Sequence, residues 1–304
     1  MSDFYQVGVV ATFHRLVSQN LEKLEEELSW YSHERPIALV LPSLYSELEG
    51  EALKQIVNKL KEVKYVKEIV VGLALASPVE FQHARRFFSE MPQKTTIIWQ
   101  EGPRISSIYK AIENAGLHVG AQGKGKGVWM SYGYVLGRQE FHTIALHDCD
   151  ILTYNRDLLA RLCYPVTNPN LNYSFCKGYY GRISDRMHGR VTRLLFTPLI
   201  RSLQKILGYH PLLVFFDSFR YPLAGEFSMD VDMARGNRIP ADWGLEVGML
   251  AEVYRNSSLR RVCQVDICEN YDHKHQPLSP GDATKGLHKM SVDICKSIFR
   301  TLES

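Results

Sequence analysis

The chain has 304 residues, of which 45% are hydrophobic and 23% are charged, ordinary values for a globular protein with a large core. A formal net charge of only +3 gives no reason to expect nucleic acid or an anionic membrane as a partner. The N-terminus lacks the basic stretch of a signal peptide, no apolar run reaches the length of a membrane span, and the six cysteines form no CxxC pair. We therefore expect a cytoplasmic enzyme with reduced thiols.

Short apolar segments alternate with amphipathic segments through the first half of the chain. The predicted strands are residues 5–13, 36–44, 66–75, 94–100 and 142–148, and the predicted helices are residues 16–31, 47–63, 78–88, 104–116 and 127–139. Continuous Val, Ile and Leu runs indicate strands that are covered on both faces. We predict an α/β fold with a mostly parallel sheet and helices on both sides.

The second half of the chain is less regular. A strand leads into an Arg- and Gly-rich loop and then a helix near residue 190, and the last hundred residues contain a predicted helix at 242–256, a strand at 260–267 and a closing helix. No linker, low-complexity tract or internal repeat is visible, so we expect one compact domain.

Two aspartates, Asp148 and Asp150, follow the last predicted strand of the first half. Carboxylates this close repel each other unless a cation lies near them, and ligands bind at this end of the strands in such sheets. A divalent metal site is therefore the favoured interpretation. Asp230 and Asp232 form a second such pair at a predicted helix start, which we interpret as capping. We do not expect Cys149 to bind a metal, since strand alternation points it away from the aspartates.

Residues 120–129, GAQGKGKGVW, form a glycine-rich segment before a predicted helix. Backbone N–H groups and lysine charge suit a phosphate there. The spacing from Gly120 to Lys126 matches a P-loop, but Gly127 occupies the position that requires Ser or Thr. A flexible turn in solvent explains the segment equally well.

Three further patterns contain candidate site residues. Arg190 and Thr192 follow a glycine at a predicted helix start, which suits an anion, although helix capping beside a surface arginine explains it as well. His273 and His275 have no partner at helical spacing. Glu246 lies in an apolar helix, so its carboxylate either meets a cation or polar ligand, or points outward. None of these signals decides a function alone.

The segments ALVLPSLYSE, GKGKGVW, LHDCDI, GRVTRLLFTPLI, PLAGEFSM, WGLEVGML and DHKHQPL, in this order, resemble the glucosyl-3-phosphoglycerate synthases. These are retaining glycosyltransferases with the GT-A fold, and the resemblance runs from about residue 36 to about residue 280. It implies transfer of glucose from a nucleoside diphosphate sugar to 3-phosphoglycerate, toward the compatible solute glucosylglycerate. We expect residues 1–35 to be a strand–helix extension, followed by a nucleotide-sugar half to about residue 152 and an acceptor half to residue 304.

The same resemblance implies roles for individual residues. The expected donor-binding residues are Pro42, Ser43, Leu44, Glu47, Gly72, Lys124, Asp148 and Cys149. The expected acceptor cradle consists of Gly189, Arg190 and Thr192, and the expected ligands of Mg²⁺ or Mn²⁺ are Asp150 and His273. The expected catalytic residues are Asp148, Glu246 and Lys124. A homodimer is also expected.

Two departures from the family pattern fall in the expected donor pocket. The chain reads VGLALAS around Gly72, where the family often has an Asp-Ser-Gly-Ser segment, and Tyr271 replaces an arginine found in some members. These changes leave the donor open among UDP-, ADP- and GDP-glucose. Mannosyl transfer from GDP-mannose is the nearest alternative function.

The residues and the resemblance agree on a mechanism. A metal held by Asp150 and His273 would turn the repulsion between carboxylates and a diphosphate into attraction, and a histidine ligand favours Mn²⁺ somewhat. Lys124 would add charge at the phosphates, while Arg190 and Thr192 orient the acceptor.

Two alternatives belong to other functional classes. A phosphatase of the haloacid dehalogenase type also uses a DxD motif at a strand end, but on its first strand and usually with Thr or Val where this chain has Leu152. A non-catalytic sensor of sugar nucleotides would keep the fold without turnover.

Overall fold

A computed structural model of the protein describes residues 8–14, 20–182, 188–273, 282 and 285–303. Its strands are β1 (Ala11–Phe13), β2 (Ile37–Leu44), β3 (Val66–Ala74), β4 (Lys94–Trp99), β5 (Thr143–Leu146), β6 (Phe175–Tyr180), β7 (Phe227–Asp230) and β8 (Val262–Cys268). Its α-helices are α1 (Leu21–Tyr31), α2 (Glu51–Leu60), α3 (Pro78–Phe88), α4 (Pro103–Asn114), α5 (Lys124–Arg138), α6 (Arg156–Thr167), α7 (Thr197–Leu207), α8 (Pro211–Asp217), α9 (Val231–Gly236), α10 (Leu245–Asn256) and α11 (Gly286–Glu303).

The strands form one sheet in the order β1-β8-β6-β7-β5-β2-β3-β4. β7 runs antiparallel to both of its neighbours, β5 and β6, whereas the other pairings are parallel. This arrangement confirms the predicted α/β fold with a mostly parallel sheet. β1 pairs with β8 at the sheet edge, so the predicted N-terminal extension contributes a strand to the same sheet. The division into an extension and two halves stays a prediction.

Alternate residues of the central strands pack into two separate apolar clusters. Leu39, Leu41 and Val71 contact the core on one face of the sheet, and Val40 and Val70 contact the core on the other. Burial of each such side chain stabilises the fold by roughly 1.5–3 kcal/mol. The helices on both faces therefore explain why these strands have no polar face.

Local chemistry determines where the helices begin. α3 has the predicted bounds because Ser77 and Glu80 form a capping box and Pro78 occupies the first helical position. α2 begins after Gly50, later than predicted, since a 3₁₀ turn covers Tyr45–Glu49. Asp230 accepts a hydrogen bond from the Met233 amide (2.8 Å) as the N-cap of α9, which confirms the capping interpretation of the second aspartate pair.

The glycine-rich segment differs from the prediction, because α5 already begins at Lys124. A Cβ atom at Gly125 would lie 1.8 Å from the Pro240 carbonyl oxygen, and one at Gly123 would lie 2.4 Å from the Ala241 carbonyl oxygen. These glycines therefore allow the first turn of α5 to pack against the backbone of residues 240–241. The start of α5 is therefore a packed helix start and not a flexible turn, and phosphate binding by this segment stays a prediction.

In the second half, α7, α10 and α11 follow the predicted pattern with shifted ends, whereas α6 and α8 were not predicted. A helical segment starts at residue 190, passes through a π-helical turn at Thr192–Phe196, and continues as α7. Within the part of the chain that the structure describes, no helix combines the length and apolar character needed to cross a bilayer.

Candidate active site

A cavity of about 800 Å³ opens at the carboxyl ends of β2, β3 and β5. Sheets of this type bind ligands at this edge, and the volume is in the range of small-molecule sites. Its walls come from strand ends, the first turn of α5, the segment before α7 and the first turn of α10.

All of the predicted site residues line this one cavity: Pro42, Ser43, Leu44, Glu47, Gly72, Lys124, Asp148, Cys149, Asp150, Gly189, Arg190, Thr192, Glu246 and His273. His275 lies outside the described residues. The structure therefore brings together residues that are up to about 230 positions apart in the chain. Their individual roles stay predictions.

Lys124 lies between two carboxylates at the centre of the cavity. Its ammonium nitrogen is 2.6 Å from Asp148 Oδ1 and 3.0 Å from Glu246 Oε1. Burial alone would lower the pKa of Lys124, but the two carboxylates outweigh it and hold this pKa well above its usual value. Of the two outcomes expected for Glu246, the structure has the first, contact with a cation.

The same cation decides the ionisation of Asp148. Burial alone would raise the pKa of this carboxyl, but the nearby Lys124 ammonium lowers it below its ordinary value. Asp148 is therefore a carboxylate at neutral pH. Asp148 forms an ion pair with Lys124, and the contact of this lysine with a phosphate stays a prediction.

Asp150 and His273 meet although 123 positions separate them, with Asp150 Oδ2 3.4 Å from His273 Nδ1. Ile151 forms an antiparallel bridge with His273, and the Leu152 amide donates to the Asp272 carbonyl oxygen (2.8 Å). This backbone pairing holds the carboxylate and the imidazole side by side.

The Asp150 and His273 side chains are suitable as two of the ligands of a divalent cation. Asp150 Oδ1 is buried and has no hydrogen-bond partner among the described residues, so its lone pairs are available to an ion. Carboxylate and imidazole are both ordinary ligands of Mn²⁺ and related metals. The described part of the chain contains no group of three or more metal-binding side chains, so substrate or water oxygens would complete the coordination.

At the donor end, packing explains two of the predicted site residues, Gly72 and Cys149. A Cβ atom at Gly72 would lie 2.9 Å from Ser131 Oγ, so glycine at this position allows α5 to pack against β3. Cys149 packs into the core cluster beneath the cavity, and burial raises the pKa of its thiol well above the usual value. Its thiol is not a metal ligand in this arrangement, as the strand alternation predicts.

At the acceptor end, Gly189 adopts φ +74°, a conformation that favours glycine. A Cβ atom there would also come within 3.0 Å of the Tyr221 hydroxyl, which accepts a hydrogen bond from Arg182 Nη1 (3.1 Å). Thr192 is buried in the wall, and Arg190 lies at the start of the helical segment. Arg182 and Tyr221 also line the cavity and lie beside the predicted cradle.

A buried polar network beneath the cavity was not predicted. The Tyr271 hydroxyl donates to Glu226 Oε1 (2.5 Å), and the Tyr271 ring stacks on Tyr180 with 3.8 Å between centroids. Lys177 Nζ donates to the Ala224 carbonyl oxygen (2.5 Å). Burial raises the pKa of Glu226 to about 7, with a further contribution from Asp148.

Sequence reasoning missed Arg182, Tyr221, Glu226 and Lys177 because each is a single polar residue without a pattern. Glu226 lies within PLAGEFSM, a segment that the family resemblance already contained, and this was the one signal that could have found it. The others depend on contacts across 39 to 47 positions, which no local spacing reveals.

Sequence comparison identifies the family. A glucosyl-3-phosphoglycerate synthase from Persephonella marina is 48% identical over 302 residues, covering 99% of this chain and 75% of the relative. One from Methanococcoides burtonii is 41% identical over 304 residues, covering 99% of this chain and 74% of the relative. The chain belongs to the glucosyl-3-phosphoglycerate synthase family. No family model matches the chain.

Solved structures of a family member share the fold. The glucosyl-3-phosphoglycerate synthase of Mycobacterium tuberculosis in complex with Mn²⁺, UDP and glucosyl-3-phosphoglycerate superposes with a TM-score of 0.69 at 19% identity, covering 96% of this chain and 87% of that one. The same synthase with Mn²⁺, UDP-glucose and phosphoglyceric acid gives the same score, identity and coverage. The two sequence relatives confirm the predicted family and glycosyltransferase activity of this chain, and the solved structures confirm the GT-A fold class.

Proposed function

We propose that this protein transfers glucose from UDP-glucose to 3-phosphoglycerate in the cavity described above, with Mn²⁺ or Mg²⁺ as its metal. One observation carries the proposal: the Asp150–His273 pair and the Lys124–Asp148–Glu246 cluster face the same cavity. A separate reason favours uridine among the three possible nucleotides, because the M. tuberculosis synthase is described with UDP-glucose and phosphoglyceric acid.

Asp150 and His273 are the residues that would hold the metal. When bound, a divalent cation offsets the negative charge of the leaving diphosphate. A histidine in the ligand set favours Mn²⁺ over Mg²⁺, although either ion accepts the carboxylate.

The lysine cluster acts at the sugar. One ammonium between two carboxylates leaves a net negative charge, and all three groups are largely removed from water. Fixed negative charge beside the anomeric carbon stabilises the positive charge that develops there as the glycosidic bond breaks. Because Lys124 holds both carboxylates in place, the cluster needs little rearrangement during the reaction.

The acceptor cradle binds the two anionic groups of 3-phosphoglycerate. The Arg190 guanidinium, the Thr192 hydroxyl and the start of the helical segment are suitable donors to a phosphate. The Arg182–Tyr221 pair fixes the wall next to Gly189. A fixed anion places the acceptor hydroxyl near the sugar carbon, an orientation effect worth several kcal/mol in order of magnitude.

A homodimer and a cytoplasmic location belong to the same proposal. Exposed apolar side chains cluster where α7 ends, with Ile206 at 77% and Tyr209 at 82% exposure, and contiguous exposed apolar surface is typical of an interface. The small net charge supports neither nucleic acid nor an anionic membrane as a partner. Light scattering of the purified protein tests the dimer, and a monomeric mass would reject it.

Mass spectrometry of the reaction products tests the proposed reaction. The protein is incubated with 3-phosphoglycerate and UDP-, ADP- or GDP-glucose or GDP-mannose, with Mn²⁺, Mg²⁺ or EDTA. We expect glucosyl-3-phosphoglycerate from UDP-glucose in the presence of metal only. A mannosyl product from GDP-mannose would replace the proposal with the mannosyl alternative, and absence of product from every donor would favour a sensor. Steady phosphate release from simple phosphomonoesters would favour phosphatase chemistry.

A further inference from the structure

The turn between β3 and α3 contains an uncommon backbone conformation. Leu75 has φ +56°, and within the described residues only Gln139 and Asn172 share a positive φ without being glycine. Short polar residues such as Asn tolerate this region, because their side chains bond to the nearby backbone, whereas a branched apolar side chain has no such compensation. The conformation at Leu75 therefore requires support from its surroundings.

That support comes from both sides of the turn. The Leu75 amide donates to Glu101 Oε1 (3.0 Å), and the Trp99 indole donates to the Ala76 carbonyl oxygen (2.8 Å). The Ser77 capping box then fixes the start of α3. Backbone strain that is held in this way is concentrated at ligand sites, where it directs a side chain to a required place.

The strained residue presents an apolar side chain to the active-site cavity. Leu75 and Leu44 both line the cavity. Leu75 is 66% exposed and Leu44 is 43% exposed. The two residues lie at neighbouring strand ends, since Leu44 pairs with Ala74 in the sheet. Two exposed leucines thus contribute apolar surface to the part of the cavity at the ends of β2 and β3.

The position of this surface within the sheet indicates what it contacts. The strand order places β2 and then β3 on one side of β5, whose end carries Asp148 and Asp150, and places β7 and then β6 on the other side. The acceptor cradle lies on the β6 side, because Gly189 is beside Tyr221 and the Tyr221 ring is 4.8 Å from that of Tyr180 at the end of β6. Two strand spacings put the end of β3 about 10 Å from the end of β5. A nucleotide whose diphosphate lies at Asp150 would place its base in that direction, away from the acceptor.

We propose that Leu75 is a nucleobase contact, held in its strained conformation so that its side chain packs with Leu44 against one face of the donor's base. The inference rests on the proposed function of the cavity as a nucleoside diphosphate sugar site. Every base has an apolar face, so the contact adds affinity for the nucleoside part of the donor without selecting among bases by hydrogen bonds. Glu101 is a positioning residue for this contact.

Two substitutions separate a ligand contact from a structural role. Leu75→Gly and Leu75→Asn both tolerate the positive φ and remove the apolar side chain. We expect the Kd for UDP, measured calorimetrically with Mn²⁺, to rise roughly threefold to tenfold in both variants. The Kd for inorganic pyrophosphate, measured by competition, should stay unchanged because pyrophosphate has no base. The melting temperature should not fall, since the lost side chain is mostly exposed and the backbone strain is relieved.

Gln139→Gly is the matched control. Gln139 has φ +53° at the end of α5 and does not line the cavity, so its substitution should leave both dissociation constants unchanged. An unchanged Kd for UDP in both Leu75 variants would overturn the inference, as would equal weakening of UDP and pyrophosphate binding. Failure of the unmodified protein to bind UDP, ADP or GDP at all would instead reject the proposed function.

Discussion

The two sides of the cavity are built in different ways. On the donor side, strands β2, β3 and β5 pair in parallel with one register shift at the start of β2, and the site residues lie at or just after the strand ends. On the acceptor and metal side, the site residues lie in loops and helix starts that depend on side-chain contacts such as Arg182–Tyr221 and Tyr271–Glu226. The sheet therefore determines one half of the site, and a small number of polar contacts determines the other.

The largest expected effect is on metal-dependent donor binding, through Asp150, which lies where the two sides of the cavity meet. Asp150→Asn should weaken the Mn²⁺-dependent part of UDP-glucose binding by about 100-fold or more, because the amide carries no charge to bind the ion. Calorimetric titration with and without Mn²⁺ measures this effect. Asp230→Asn is the matched control, since Asn caps a helix as well as Asp and Asp230 lies outside the cavity. Equal, undiminished binding in both variants would contradict the metal assignment.

The lysine cluster joins both sides, so its loss should affect catalysis and stability together. Lys124→Met leaves the carboxylates of Asp148 and Glu246 close together without their cation, which should cost about 3 kcal/mol of unfolding free energy and most of the turnover. Urea unfolding and initial rates measure the two effects. Lys126→Met, two positions along α5, removes a lysine that does not line the cavity. If Lys126→Met lowers the unfolding free energy and the turnover as much as Lys124→Met does, the cluster has no special role.

Binding of the acceptor can be weakened without a change on the donor side. Arg190→Ala should raise the KM for 3-phosphoglycerate roughly 10- to 100-fold, because a charge-assisted contact to an anion is lost, while donor hydrolysis is spared. Steady-state kinetics with each substrate varied separately give the two constants. Arg201→Ala, on the exposed surface of α7, is the control. A comparable loss with donor and acceptor would show that the two sides are not independent.

The smallest expected effect concerns the buried network beneath the cavity. The pKa of Glu226 is about 7 in the folded protein against an ordinary value of 4.5, so its ionisation destabilises the fold progressively between these two pH values and by a constant amount above them. Glu226→Gln removes this penalty. The melting temperature of the variant relative to the unmodified protein should therefore increase as the pH is raised from about 4.5 to about 7. A difference that is independent of pH would contradict the raised pKa.

The same contrast explains what the sequence could predict. β2 and β3 were predictable because their apolar runs are long and buried on both faces, and α3 because Ser77 and Pro78 mark its start. The start of α5 was not predictable, because the role of Gly123 and Gly125 depends on a backbone contact more than 100 positions away. β7 was not predicted, because its four residues include the polar Ser228 and Asp230 and form no apolar run.

The residues of the candidate site were also predictable only where a local pattern or the family resemblance marks them. Asp148 and Asp150 were recognisable because a strand and a spacing mark them, and His273 because the family resemblance reached it. Tyr221 and Lys177 were not recognisable, since their meaning depends on a partner brought close only by the fold.

The reversed direction of β7 has a further consequence. In the parallel strands, the chain reaches the ligand edge as it leaves each strand, but it reaches the same edge before it enters β7. Gly225 consequently faces Asp148 so closely that a Cβ atom would lie 2.5 Å from Asp148 Oδ2. The peptide ahead of β7 thus packs directly against the carboxylate of Asp148, and its Ala224 carbonyl oxygen accepts a hydrogen bond from the buried Lys177 ammonium. A side chain at position 225 would displace the Asp148 carboxylate from Lys124, so the antiparallel entry into β7 depends on a glycine at this point.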